Sequence, residues 1–309
     1  MNAIEIRKLS KAFGATQALK EINLSVREGE LFGLIGPDGA GKTTLIRILA
    51  TLMLADSGEA TVLGHEVVKQ YRKIRKILGY MPGRFSLYYD LSVQENIELF
   101  ATLFGTSLAE NYDLVKGIYA QIEPFKHRKA GALSGGMKQK LALSCALIHR
   151  PEILFLDEPT TGVDAVSRRE FWDMLDSLKA HGITMLVSTP YMDEASRCER
   201  VALMQEGQVM QVDTPENLIK AFPRPLWEVK AADTYGLLQT LRAFPSRHSV
   251  HAFGDAVHYT DQDPELDPAK MKAHLMEQGL SAVEIQPIRA NIEDCFMALM
   301  EQQPLHQPM

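Results

Sequence analysis

Gly36-Pro37-Asp38-Gly39-Ala40-Gly41-Lys42-Thr43 is a glycine-rich octet that closes on a lysine and a hydroxyl residue. Glycines at these spacings let successive backbone N–H groups converge on one point, which suits the oxygens of a polyphosphate. Lys42 offers a cation to the β/γ oxygens, the Thr43 hydroxyl suits a magnesium ion, and Thr44 follows in the same turn. The competing reading is a bare glycine turn ahead of a helix. Context favours the phosphate cradle: the apolar run Leu31–Ile35 leads in, and a helical stretch over 43–50 leads out with its positive dipole end behind the loop.

A second candidate is Ile153-Leu154-Phe155-Leu156-Asp157-Glu158, an apolar run ending in two acids before Pro159. Asp157 is suited to reach magnesium through water, and Glu158 to polarise an attacking water as general base. The alternative is a strand that merely ends in two acids. No Asn-Lys-x-Asp guanine-reading pattern occurs, which demotes GTPases.

The elements that must hold these residues alternate. Strands are predicted over 4–9, 22–26, 31–35, 153–156 and 184–188, and helices over 43–50, 93–104, 112–122 and 167–180. That alternation implies a parallel sheet with helices on both faces. Pro223-Arg224-Pro225 interrupts a helix over 215–222. Beyond it the order β-α-β-β-α-β, then a last helix over 292–302 starting at Asn291 with Glu293 and Asp294 in its first turn, predicts a small ferredoxin-like domain. The expected organisation is an α/β P-loop NTPase domain over 1–222, with a helical subdomain, and an α+β accessory domain over 225–309.

Composition sets outer limits. The 309 residues are 46% hydrophobic and 23% charged, ordinary globular values that exclude intrinsic disorder. Thirty-three basic against 39 acidic residues leave a net charge of −6, which argues against a nucleic-acid partner gripped by overall charge. Cys145, Cys198 and Cys295 lie far apart, fit neither a disulfide framework nor a zinc site, and suit a reducing cytosol. No apolar signal core opens the chain, and no run approaches the roughly 18 apolar residues of a membrane span. A soluble protein is expected, with any membrane role exercised through a partner.

Leu133-Ser134-Gly135-Gly136-Met137-Lys138-Gln139-Lys140 resembles the LSGGQ signature of ABC ATPases and stands, as in that family, between the cradle and the acidic strand. Ser134 can cap a helix on which Gly135 and Gly136 leave N–H groups bare. An ordinary capped helix with core positions Leu141, Cys145 and Ile148 is compatible with either reading. The resemblance spans roughly residues 3–220 and implies ATP with Mg²⁺. It further implies two cassettes closing head-to-tail, so that Ser134, Gly135 and Gly136 face the γ-phosphate held by the other subunit. Phe13 resembles the aromatic that stacks on adenine, the alternative being a buried edge-strand Phe, and Asp164 resembles the D-loop acid. The segments GYMPGRFSLYYDLSVQENI and STPYMDEA look most like ATPase subunits of multidrug and export-type ABC transporters. These imply separate membrane permeases and a place on the cytoplasmic face of the membrane. Asn291-Ile292-Glu293-Asp294-Cys295-Phe296 is similar to the Leu-Glu-Asp-x-Phe-like helix that often ends such chains.

Three positions depart from the pattern. Gly83 stands where a glutamine should follow Met81-Pro82, Pro190 where a switch histidine should precede Tyr191, and Met137 as the fifth signature residue. Either the subfamily tolerates this while keeping Glu158, or the chain is a slow or asymmetric ATPase paired with a better-equipped cassette. His149 and His181, at helix ends, are expected to face solvent. The rival classes are a soluble, non-transport ABC ATPase, which usually carries two cassettes or coiled-coil insertions, and a regulatory cassette that binds ATP with little hydrolysis.

Overall fold

The structure is a computed structural model that describes residues 1–302. The chain divides into two compact units, Met1–Pro215 and the part from Glu216 onward. In chain order the first unit runs β1 (Asn2–Phe13), β2 (Thr16–Arg27), β3 (Leu31–Ile35), α1 (Lys42–Leu49), β4 (Ser57–Val62), β5 (His65–Glu66), α2 (Tyr71–Ile77) and β6 (Leu78–Met81). It continues with α3 (Val93–Leu103), α4 (Leu108–Tyr119), α5 (Gly135–Leu147), β7 (Ile153–Asp157), α6 (Ala165–Lys179), β8 (Thr184–Thr189), β9 (Arg200–Gln205) and β10 (Gln208–Asp213).

The core sheet has the order β10-β9-β3-β8-β7-β6. Strands β9, β3, β8, β7 and β6 are parallel, and β10 returns antiparallel along β9. Every residue of β3, β7 and β8 is buried, as expected of parallel strands covered on both faces. The carboxyl ends of β3, β8 and β7 therefore lie side by side, the edge where open α/β sheets build their ligand sites.

A second, antiparallel sheet of order β2-β1-β4-β5 was not expected from the pattern. Its two longest strands carry repeated register shifts, and Lys8 takes a positive φ of 46°, so the apolar alternation is broken and only its inner stretches read as strands. The helical subdomain is closed by local caps. Ser92 and Glu95 form a capping box on α3, and the Ser107 side chain accepts from Glu110 N at the start of α4.

The second unit carries α7 (Pro215–Lys220), β11 (Leu226–Lys230), α8 (Thr234–Arg242), β12 (Arg247–Phe253), β13 (Ala256–Asp261), α9 (Pro268–Glu277), β14 (Glu284–Ile288) and α10 (Ile292–Gln302). Its antiparallel sheet has the order β12-β13-β11-β14. Asn291 and Asp294 exchange side-chain-to-backbone hydrogen bonds of 2.9 Å across the start of α10. Asp294 Oδ1 also lies 2.7 Å from His258 Nδ1 on β13. Cys295 donates to Leu218 O, which ties α7 to α10 and starts this unit ahead of the Pro223-Arg224-Pro225 break. Among the described residues no helix is long and apolar enough to cross a membrane.

Candidate active site

The glycine-rich octet lies between β3 and α1. Gly41 adopts φ 101°, and a Cβ there would sit 2.5 Å from Ala18 O, so only glycine fits the turn into α1. Lys42 is buried, and its ammonium donates to Gly36 O at 2.7 Å and Pro37 O at 3.0 Å. Burial holds its pKa below the ordinary 10.5, opposed by Glu158, Asp38 and Asp157. Asp38 and Gly39 are exposed at the tip of the loop, Pro37 and Thr44 are half-buried, and Ala40 is buried.

The acidic strand end meets this loop. Thr43 Oγ1 donates to Asp157 Oδ1 at 2.8 Å, and Ser188 Oγ on β8 donates to the same oxygen at 2.8 Å. Glu158 Oε1 lies 3.6 Å from Lys42 Nζ. The backbone of Glu158 has φ 50°, an uncommon conformation for a residue with a side chain. Two bonds pin its N–H, to Ser188 O at 3.1 Å and Ser188 Oγ at 3.0 Å. Lys42, Thr43, Asp157 and Glu158 thus form one cluster from segments distant in sequence.

Gly83 packs under that cluster. A Cβ at this position would stand 2.9 Å from Asp157 O, so the loop approaches the acidic strand more closely than a larger residue permits. Pro190 follows Thr189 at the end of β8 and brings neither a side-chain donor nor a backbone N–H. His149, expected in solvent, instead stacks on Phe104 with ring centroids 3.8 Å apart and lies 3.1 Å from Leu78 O through Nε2. Burial lowers its pKa, so the ring favours its neutral form. His181 is exposed.

A second cluster gathers the signature and the Asp164 loop. Ser134 caps α5, its hydroxyl accepting from Met137 N at 3.3 Å, while Leu141, Cys145 and Ile148 are buried. A Cβ on Gly136 would approach Ser167 Oγ to 2.6 Å, and Ser167 Oγ donates to Asp164 Oδ2 at 2.8 Å. Lys140 and Glu170, 2.8 Å apart, fasten α5 to α6. Ser134, Gly135 and Asp164 remain exposed. Phe13 ends β1, is 49% exposed and has Lys11 Nζ 5.5 Å from its ring centroid, which excludes the buried edge-strand alternative.

Sequence reasoning missed Ser188, Thr160, Thr189 and Glu194, which surround the acidic turn. For Ser188 the signal is one of register, since β7 and β8 pair in parallel with Asp157 opposite Ser188; the other three carry no signal in sequence.

A family profile described as ABC transporter matches residues 19–161. The chain is 35% identical to a Nod factor export ATP-binding protein I of Burkholderia lata over 96% of each chain. It is 44% identical over 219 residues to the probable multidrug ABC transporter ATP-binding protein YbhF of Escherichia coli, a match covering 70% of this chain but 38% of that longer protein. Among solved structures, a dimeric, post-hydrolysis ATP-binding cassette, MJ0796, bound to ADP and Pi superimposes with a TM-score of 0.62 at 27% identity, covering 68% of this chain and 98% of that one. CbiO1 of Clostridium perfringens, part of an ABC transporter complex, gives 0.64 at 26% identity, covering 71% and 91%. A cradle, a capped glycine pair and an acidic strand in this chain order, with a relative 35% identical over 96% of each chain, settle the family: the chain belongs to the ATP-binding proteins of ABC transporters.

Proposed function

We propose that this chain binds MgATP at its glycine-rich loop, hydrolyses it with Glu158 as general base, and powers an export-type permease made of separate membrane subunits. The observation that carries the reading is the 2.8 Å contact between Thr43 and Asp157, with Glu158 3.6 Å from Lys42 beside it. A hydroxyl and a carboxylate are hard oxygen donors of the kind magnesium accepts when phosphates and waters complete its shell. Thr43 and Asp157 would hold the ion, which when bound neutralises charge on the β and γ oxygens. Lys42 and the loop N–H groups hold the same oxygens. Glu158 takes the proton of the attacking water on its carboxylate.

Phe13 offers a ring face for adenine. Ser134, Gly135, Gly136 and Asp164 serve a second cassette, a role supported by the exposure of Ser134, Gly135 and Asp164 and by the dimeric cassette of similar fold. An export role on the cytoplasmic face of a membrane is supported by relatives named for multidrug, Nod factor and daunorubicin export or resistance. The part from Glu216 onward acts as an accessory domain, and nucleic acid is not a partner at a net charge of −6.

Gly83 and Pro190 favour a second reading, in which the chain turns over slowly by itself and leans on a better-equipped partner cassette. Two experiments separate the possibilities. Phosphate release from the purified chain measures hydrolysis. Identification of chains that co-purify from detergent-solubilised membranes tests transport, and recovery of no integral-membrane partner would contradict it.

A further inference from the structure

We propose that Glu194 is a positioning residue for hydrolysis, clamping the turn that carries Glu158. The proposal rests on the hydrolysis reading above. Glu194 is 3% exposed. Its carboxylate accepts from Thr160 Oγ1 at 2.8 and 3.1 Å, from Thr189 Oγ1 at 2.6 Å, and from Arg168 Nε at 3.2 Å. Both oxygens are thus engaged, the condition under which a carboxylate is tolerated out of water.

The three donors belong to three segments that meet at the candidate active site. Thr160 is two residues beyond Glu158, whose left-handed backbone is pinned at its N–H by Ser188 and at its carbonyl by Thr161 N at 3.2 Å. Thr189 ends β8. Its carbonyl accepts from Gly36 N at 3.4 Å, and its hydroxyl accepts from Tyr191 N at 3.0 Å, so it bridges the glycine-rich loop and the turn through Pro190. Arg168 lies early on α6, four residues after Asp164, stacks 4.1 Å over the Tyr191 ring and reaches Asp193 at 3.0 Å.

Residue 190, as a proline, has no donor with which to hold this junction. The Glu194 carboxylate, four residues on, does so instead. A tie made only for stability is replaceable by apolar packing, whereas three hydroxyl and guanidinium donors fix direction as well as distance. Glu194 therefore sets where the Glu158 carboxylate points without touching ATP.

The test uses the full chain and measures steady-state phosphate release, KM for ATP and calorimetric MgATP affinity. Glu194→Gln keeps the side-chain shape and loses the charge opposite Arg168. It should lower kcat by about tenfold or more while KM and Kd stay within about twofold. Thr160→Val should lower kcat in the same way, and Thr160→Ser, which keeps the donor, should recover it to within about threefold of the parent. A purely structural residue would lower thermal stability and leave kcat of the folded protein alone. A parent-like kcat in folded Glu194→Gln, or a loss of ATP affinity in proportion to kcat, overturns the proposal. If Glu194→Gln does not fold, equal kcat in Thr160→Val and Thr160→Ser overturns it. A parent chain that releases no phosphate contradicts the hydrolysis reading itself and removes this proposal with it; an active parent beside an unaffected Glu194→Gln removes this proposal alone.

Discussion

Thr43 Oγ1 and Asp157 Oδ1 stand 2.8 Å apart, joining the helix behind the glycine-rich loop to the end of β7. The same Asp157 oxygen receives Ser188 Oγ, so its direction is set by two donors, one from α1 and one from the end of β8. Asp157→Asn should lower affinity for MgATP about tenfold and leave affinity for ATP in chelator unchanged, because only the ion-dependent part is lost. Calorimetry with and without magnesium checks this; an equal loss in both would assign Asp157 a packing role.

Lys42→Ala removes a charge-assisted donor worth about 1.5–3 kcal/mol, so ATP affinity should fall by about tenfold or more. Burial holds the Lys42 pKa below 10.5 in the free protein. A depressed lysine pKa means the proton is lost at lower pH than in a free lysine, and the neutral amine binds phosphate less well. ATP affinity of the parent should therefore weaken as pH climbs towards 10.5, and Lys42→Ala should lose that slope. A slope unchanged in the variant would place the titrating group elsewhere.

Pro190→His supplies a donor at the end of β8 and should raise kcat by on the order of tenfold or more. Gly83→Gln should behave differently, since its Cβ would lie 2.9 Å from Asp157 O and the loop must withdraw to admit it. We expect that variant to lose thermal stability and to gain no turnover by itself. Phosphate release and thermal melts on both variants decide. Parent-like turnover in Pro190→His would show that residue 190 never limited the rate.

The phosphate cradle and the acidic strand were legible because each is a short contiguous pattern whose chemistry depends on neighbours in sequence. The elements of the second unit were legible for a related reason: Pro and Gly punctuate short amphipathic runs there, as at Gly254-Asp255 between β12 and β13. What was hidden depends on pairing. Ser188 matters because parallel register sets it opposite Asp157, and Glu194 because a short helical turn folds it back under Thr189. The β9–β10 hairpin was readable and was missed: Glu206-Gly207 both take positive φ, the signature of a tight turn between two apolar strands.

A chain ending at Pro215 should bind MgATP with parent-like affinity, since every residue of the cradle and the acidic strand lies before it. A cut at 222 should be less soluble, because it leaves α7 without α10, whose Cys295 thiol donates to Leu218 O. Comparison of the two truncations by gel filtration and calorimetry tests this; a folded 1–215 chain unable to bind ATP would place part of the site in the second unit.

The most direct measurement compares phosphate release by the parent and by Glu158→Gln, with MgATP binding measured on both. Glutamine keeps the shape of residue 158 and cannot take the proton of the attacking water. Binding should be retained, turnover should fall by on the order of 10²-fold or more, and an ATP-dependent dimer should accumulate on gel filtration. Hydrolysis by Glu158→Gln at the parent's rate would contradict the role of Glu158 as general base.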